Sequence, residues 1–452
     1  MNYSPGKRMG SAMIELFRNR TFARLFFATV CSQLAATIGM MAFAFYLLDR
    51  FSSQPAYATV AEMMYSAPTL LVFLFVGVFA DRFDRKRIAE NSLWIRAGLS
   101  ALIVGAIASD VWIPMIFLLL FLRSAVTKFY YPAESAMLQG ILHDSQYVRA
   151  AGLNQSIMGV FMLFGTGLGA LVYHSVGVLG AVTVDLIGFL IGALLLRGLR
   201  VPEAVRLPNG RSRLSSLRLP SVWGDFREGL RYILSRKLLA SLLAGFILFG
   251  LINGCFAMLP MLTMKYKLAG ENYPFYVSMF SVFMGVGFLI GSTIGSVLVG
   301  KFALHKVIIA CMSAAAVCVF GLGWSTSPWA YLTFTFVAAL FLAPFNIAIG
   351  GWLPKLVAPE KMGRVNAWID PIMMGGQTLM LGLIAWLFPS LFSVEGLHLF
   401  IGALLLVAAA IYLATLPRFV REEEREAASA VAAAPAAAAP AAAAAGSTAV
   451  SG

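Results

Sequence analysis

Arg123 sits eleven residues into an apolar stretch that begins near Trp112, and no position in the chain costs more to occupy with a charge. At the helical rise that places its guanidinium about 16 Å deep, near the midplane of a bilayer. A charge there costs at least ~3 kcal/mol on insertion scales, so the side chain must face an interior cavity or a carboxylate. Two uses follow: an ion pair that locks helices together, or a group that handles a substrate or a proton. Proton handling also needs a carboxylate that alternates between dry and wet surroundings. Glu62, Glu90, Asp185 and Asp370 lie in or beside apolar stretches. Asp185, amid Val184, Leu186 and Ile187, demands a partner. Glu62 lies in the outer third of its stretch, where a solvated role is equally open. Glu90 and Asp370 lie near helix starts, where an acid offsets the helix dipole. Arg123 with Asp185 or Glu62 is therefore the candidate coupling or substrate-cavity set.

A second cluster, Gly77-Val78-Phe79-Ala80-Asp81-Arg82-Phe83-Asp84-Arg85-Lys86-Arg87, joins two almost uncharged stretches. So many charges cannot lie in hydrocarbon, and clustered Lys and Arg beside a span mark the cytoplasmic face. No metal-ligand spacing, nucleotide-binding loop or catalytic constellation accompanies these residues, so neither a cofactor nor an enzyme activity is expected. Cys31, Cys255, Cys311 and Cys318 all fall in apolar stretches and read as packing residues. Met40-Met41, Met63-Met64, Met373-Met374 and Phe129-Tyr130-Tyr131 could in part line a soft, adaptable pocket.

The elements that carry these residues are membrane spans. Sixty per cent hydrophobic and 12% charged residues, with a mean hydropathy of +0.82, exclude an ordinary soluble protein. Spans are predicted near 23–48, 57–80, 88–109, 112–131, 152–173, 178–198, 238–262, 275–299, 307–325, 328–350, 366–388 and 397–416. Twelve spans define an all-α integral membrane fold with both termini in the cytoplasm. The net charge of +13 agrees with that topology. Of the 34 Lys and Arg, only Arg50, Lys265 and Lys267 fall on the far side, and only Arg96, Arg123 and Lys128 lie within spans. That is the asymmetry of positive-inside loops, not a nucleic-acid footprint.

Residues 1–198 form one six-helix half and 238–418 the other, with 199–237 as a polar cytoplasmic linker. Val222, Phe226, Leu230 and Ile233 have helical spacing, which fits a helix lying on the inner membrane surface. A plain linker helix is the simpler reading. Residues 419–452 become Ala- and Pro-rich and are expected to be a disordered cytoplasmic tail, helical at most over 421–426. The halves echo each other: Asp81-Arg82-Phe83 aligns with Gly300-Lys301-Phe302 at an offset of 219 residues.

The spacing G-x-x-x-D-R-x-x-R-[K/R] at Gly77, Asp81, Arg82, Arg85 and Lys86 resembles the loop between helices 2 and 3 of major facilitator superfamily transporters. Asp84 replaces that pattern's glycine. Arg18-Asn19-Arg20-Thr21-Phe22-Ala23-Arg24-Leu25, Pro132-Ala133, Asp185 and Asp225-Phe226-Arg227-Glu228-Gly229-Leu230 are similar to the bacterial macrolide-efflux and enterobactin-exporter branch. Gly165-Thr166-Gly167-Leu168-Gly169-Ala170 is a degenerate form of the exporter span-5 motif G-P-x-x-G-G, and glycines four apart let another helix approach. Arg123 matches the exporters' span-4 arginine, with Thr127 where their glycine stands.

The resemblance implies two repeated halves that rock about a central site. It implies a monomer in the bacterial inner membrane, in contact with lipids, exporting amphipathic small molecules by proton antiport. Export of a siderophore or another metabolite, and lysolipid flipping, are alternatives. A non-transporting scaffold or sensor is the alternative of another class. In the loop, Gly77 would let helices 2 and 11 close, and Asp81 would accept bonds from the start of helix 11. Arg82, Arg85 and Lys86 would pair with acids or lipid phosphates, making a conformational gate. Gly165 and Gly169 would pack span 5 on the second half. Against proton coupling stands span 1, whose only polar candidates are Ser32, Gln33 and Thr37.

Overall fold

The computed structural model of the chain describes residues 16–142, 144–207, 219–357 and 359–433, and these are mostly helical, joined by short turns, with no strand among them. Helix α1 (Arg20–Arg50) starts where the Asn19 side chain accepts from the Thr21 and Phe22 amides at 3.0 and 3.2 Å. The expected span 57–80 is two helices, α2 (Ala56–Ser66) and α3 (Pro68–Arg82), because Pro68 brings no amide to continue the ladder. Then come α4 (Arg85–Ala108) and α5 (Ile113–Ile141). Helix α5 runs ten residues past the expected end at Tyr131. Pro132 lies inside it, a residue that membrane helices tolerate.

Helix α6 (Asp144–Arg197) carries two expected spans and breaks only at Gly177, whose φ of 67° turns the chain where a side chain would be strained. Two linker helices follow, α7 (Glu203–Arg206) and α8 (Leu219–Ser235). Helix α9 (Lys237–Thr263) leads into a π-helical turn at Met264–Leu268 and a 3₁₀ turn at Gly270–Asn272. The rest is α10 (Tyr273–Lys301), α11 (Leu304–Trp324), α12 (Pro328–Leu356), α13 (Pro359–Leu387) and α14 (Val394–Ala433).

Nine helical segments among the described residues are long and apolar enough to cross a membrane. The other three expected spans fall on the α2–α3 pair, the first part of α6, and α13. Helix α14 continues to Ala433, through the first part of the segment 419–452 expected to be a disordered tail. Alanine is the strongest helix former, and Glu422 on that extension pairs with Lys237 at 3.1 Å. Residues 434–452 lie outside those described.

Helices α1, α4, α5 and α6 pack around Leu25, Leu93, Tyr130 and Phe189, all fully buried. In the other half α9 packs on α13, and α11 packs on both α12 and α14. The halves meet along two seams, α6 against α10 and α2–α3 against α13. Asp84 opens α4 by accepting from the Arg87 amide at 3.2 Å. At the 219-residue offset its counterpart before α11 is Ala303, which has no side chain to cap with. All four cysteines are free, three of them buried and Cys31 half-buried.

Candidate transport site

Four helices converge on one buried charge cluster. Arg123 of α5 donates through Nη1 to Asp185 Oδ2 of α6 as an ion pair. Ser100 Oγ of α4 accepts from Arg123 Nη1 at 3.0 Å and donates to Asp185 Oδ2 at 3.2 Å. The Tyr65 hydroxyl of α2 accepts from Arg123 Nη2 at 3.2 Å, and the Tyr65 carbonyl accepts from Ser124 Oγ at 2.8 Å. Arg123 and Asp185 are 5% and 0% exposed, so the pair is held in a low-dielectric interior where its geometry matters most. Gly39 makes room for it, since a Cβ there would stand 2.9 Å from Asp185 Cβ.

A second arginine lies beside the cluster without bonding to the aspartate. Arg96 of α4, 3% exposed, lies 3.9 Å above the Phe189 ring. Arg123 lies 6.0 Å over the same ring, so both guanidinium groups flank Phe189, one turn along α6 from Asp185. Arg96 Nε and Asp185 Oδ1 are buried without a hydrogen-bond partner. Two cations therefore face one anion. Of the two expected acids, Asp185 pairs with Arg123. Glu62 is half-buried on α2, one turn before Tyr65, and forms no ion pair among the described residues.

Sequence reasoning missed a neighbouring polar network. Thr29 Oγ1 donates to Glu134 Oε1 at 3.3 Å and lies 2.9 Å from the Tyr130 hydroxyl, while the Tyr131 hydroxyl donates to Gln33 Oε1. Thr29, overlooked among the polar residues of span 1, and Gln33 thus reach α5, while Ser32 and Thr37 bond back to their own helix. Glu134 was hidden because the span was expected to stop before Pro132.

At the end of the bundle opposite the linker, Asp49 ties the halves together. It accepts from Lys265 Nζ at 2.7 Å, Tyr273 OH at 2.8 Å and Tyr173 OH at 3.1 Å. Lys265 Nζ also reaches the Leu48 carbonyl at 2.7 Å, and Tyr266 OH reaches that of Ser52 at 2.6 Å. Arg50 pairs with Asp110 at 2.5 Å, and Lys267 with Glu395 at 2.7 Å. All three far-side cations are therefore paired, and their breach of the charge asymmetry was the signal available in the sequence.

The loop cluster divides. Gly77, Asp81 and Arg82 fall in the last turns of α3, and their side chains lie outside those described. Arg85 donates to the Val205 carbonyl at 3.4 Å, and Lys86 to that of Arg197 at 3.0 Å, with Glu90 3.9 Å away. Asp84, which departs from the loop pattern, pairs with Arg206 of α7 through Nε at 3.1 and 3.2 Å and through Nη2. Burial pushes the Asp84 carboxyl up, but the Arg206 bonds and the Arg87 amide outweigh it and hold the group below the usual carboxylate range.

Gly165 and Gly169 face α1, where added Cβ atoms would meet Thr37 Cγ2 at 2.6 Å and Met41 Cβ at 2.5 Å. The expected packing on the second half is made from another face of α6. Ser281 of α10 donates to Thr166 Oγ1 there at 2.8 Å. Within the second half, a cavity of about 100 Å³ is lined by Phe249, Phe256, Met312, Phe341 and Phe345, with Asn253 among them.

Apolar helices in two packed halves, with a buried charge cluster inside the first, define a multi-pass membrane protein, and the comparisons make it a transport protein. The Major Facilitator Superfamily model matches residues 25–294 and 274–450. The chain is 47% identical over 407 residues to an uncharacterized MFS-type transporter, YkuC, of Bacillus subtilis (strain 168), covering 90% of this chain and 94% of that one. It is 27% identical over 396 residues to macrolide efflux protein A of Streptococcus pyogenes, covering 84% and 91%. Among solved structures, a peptide transporter POT mutant in complex with alafosfalin superposes with a TM-score of 0.69 at 14% identity, covering 88% and 94%. A nucleoside transporter NupG mutant gives 0.64 at 12%, covering 87% and 98%. Those two likenesses concern the fold alone. The chain belongs to the major facilitator superfamily.

Proposed function

We propose that the protein is a secondary active exporter of amphipathic small molecules, driven by proton antiport. In this reading twelve spans form two halves, 1–198 and 238–418, that rock about the linker 199–237. Both termini lie in the cytoplasm of a bacterial cell, and the unit is a monomer in the inner membrane. The observation that carries the reading is the buried Arg123–Asp185 pair with Arg96 beside it. A structural lock needs one cation and one anion, whereas a second buried arginine leaves the cluster poised to respond to any change on Asp185. A proton delivered to Asp185 leaves two guanidinium groups without a counter-ion, and a rearranged bundle relieves that state. The export direction rests on the likeness to macrolide efflux protein A.

In the same reading Asp81, with Gly77, Arg82, Arg85 and Lys86, forms a gate that closes in one state of the cycle. Asp81→Asn then impairs transport while insertion stays normal. The test is reconstitution in liposomes with a panel of amphipathic drugs under an imposed proton gradient. Efflux that collapses with a protonophore supports antiport, and efflux that does not change refutes it.

A further inference from the structure

Helix α8 in the linker presents two faces with different chemistry. Its inner face carries Phe226 and Ile233, both buried against the second half. The Phe226 ring stacks on Trp368 of α13 with centroids 3.7 Å apart and planes 19° apart. Trp368 Nε1 donates to the Phe226 carbonyl at 2.9 Å. The same ring meets Phe73 of α3 at 5.1 Å. Phe73 belongs to the first half and Trp368 to the second, so one side chain of the linker bridges both along the α3–α13 seam.

The outer face is a single strip formed by Trp223, Arg227, Arg231 and Leu234, spaced four, four and three residues apart. Trp223 and Leu234 are 57% and 64% exposed. Arg227 and Arg231 are also exposed and form no ion pair among the described residues. A face that meets only water has no use for an exposed tryptophan and leucine, and a face buried in protein has no use for two unpaired guanidinium groups. The headgroup layer of a bilayer accepts both, with indole and leucine entering its apolar boundary and the cations on phosphates. The position agrees, because α8 packs where membrane-length α9 begins and where α13 carries Trp368.

We propose that α8 is a binding site for anionic phospholipid, with Arg227 and Arg231 on the headgroup phosphates and Trp223 and Leu234 as apolar anchors. Lipid contact also sets how firmly Phe226 holds the two halves together. The coupling is short, since the Trp223 ring lies 5.7 Å from that of Phe226. This goes beyond the transport reading and needs neither its substrate nor its coupling ion.

The experiment is amide hydrogen exchange of the full chain in nanodiscs of phosphatidylcholine alone or mixed with phosphatidylglycerol. Residues 219–235 should exchange about 30-fold more slowly in the mixed discs, the factor two near-surface cations confer. The double variant R227Q/R231Q should exchange alike in both discs. In the parent, segments around Phe73 and Trp368 should also slow in the mixed discs. In F226A they should lose that response while α8 keeps it. Equal exchange of the parent in both discs overturns the proposal, as does an anionic-lipid effect that survives R227Q/R231Q. Slowing by soluble glycerol phosphate in phosphatidylcholine discs would assign the strip to a free phosphate and overturn the lipid site. Slowing that grows with protein concentration would assign it to a second copy of the chain, with the same result.

Discussion

Asp185→Asn keeps the shape of the side chain and removes its charge, which makes it the sharpest test of the buried cluster. In the parent, two guanidinium groups that are 3% and 5% exposed flank Phe189, and the one buried carboxylate beside them is Asp185, paired with Arg123. Removing one partner of a buried pair costs ~3–5 kcal/mol, because the other charge stays behind uncompensated. Asp185→Asn strands two such charges, so its cost belongs at the upper end of that range. Arg123→Met strands only Asp185, which keeps the Ser100 hydroxyl at 3.2 Å and the charge of Arg96. Its cost belongs at the lower end, ~3 kcal/mol. The double variant R123M/D185N removes one of the two stranded cations and should be more stable than D185N alone. For residues in contact, the coupling should fall at about 0.5–3 kcal/mol. Equilibrium unfolding of the full chain in bicelles measures all three. A double variant no more stable than D185N, or R123M as damaging as D185N, would refute the charge arrangement argued here. Liposome transport supplies the functional arm. Wild-type rates in a well-folded R123M or D185N variant would end the coupling role.

Three further perturbations probe the surroundings. Gly39→Ala places a Cβ 2.9 Å from Asp185 Cβ, and a crowded core of this kind costs ~1–3 kcal/mol, read as a lower unfolding midpoint. Asp84→Ala removes a helix cap and the Arg206 pair, at ~0.5–2 kcal/mol for the cap. Because the folded Asp84 carboxyl lies below its ordinary value of 3.8, its stabilisation is whole above that value and fades as pH falls through the folded one. The Tm gap between parent and D84A should therefore hold from neutral pH downward and close only in strong acid. Asp49→Asn removes the anion under Lys265, whose side chain is 13% exposed, at ~1.5–3 kcal/mol for a charged hydrogen bond. Spin labels on the far-side ends of α1 and α9 should move apart, and an unchanged distance would show that Asp49 does not hold the halves together.

Legibility in the sequence followed cost. Arg123 and Asp185 could be named as partners because a lone charge in an apolar stretch must find its opposite, and few opposites were available. The family could be read from Gly77, Asp81, Arg82, Arg85 and Lys86, whose charges must stay out of hydrocarbon. Glu62 and Asp185 could not be ranked as the partner of Arg123, because hydropathy gives depth along a helix but not which face points inward; the ion pair falls to Asp185. Glu134 was lost to a boundary error at Pro132, since a proline that ends a helix in water can sit within one in a membrane. Helix α14 outran its expected end for the opposite reason, because a run of alanines that reads as low complexity is also the best helix-forming sequence available.

The residues that broke a sequence rule are the ones found in long-range pairs. Arg50, Lys265 and Lys267 broke the charge asymmetry, and each is found with an acid, in Asp110, Asp49 and Glu395. Asp84 broke the loop pattern, and it is found capping α4 and paired with Arg206. Arg96 was an unexplained intramembrane cation, and it is found over the Phe189 ring beside the Arg123–Asp185 pair. Arg50, Lys265, Lys267 and Asp84 were each compensated by an ion pair, because an uncompensated departure would cost a membrane protein more stability than it has to spare. Exceptions to a pattern are therefore better predictors of long-range pairs here than the residues that obey it. The weakness is specificity, since an exception says that a partner exists and only the packing of α1 to α14 says which.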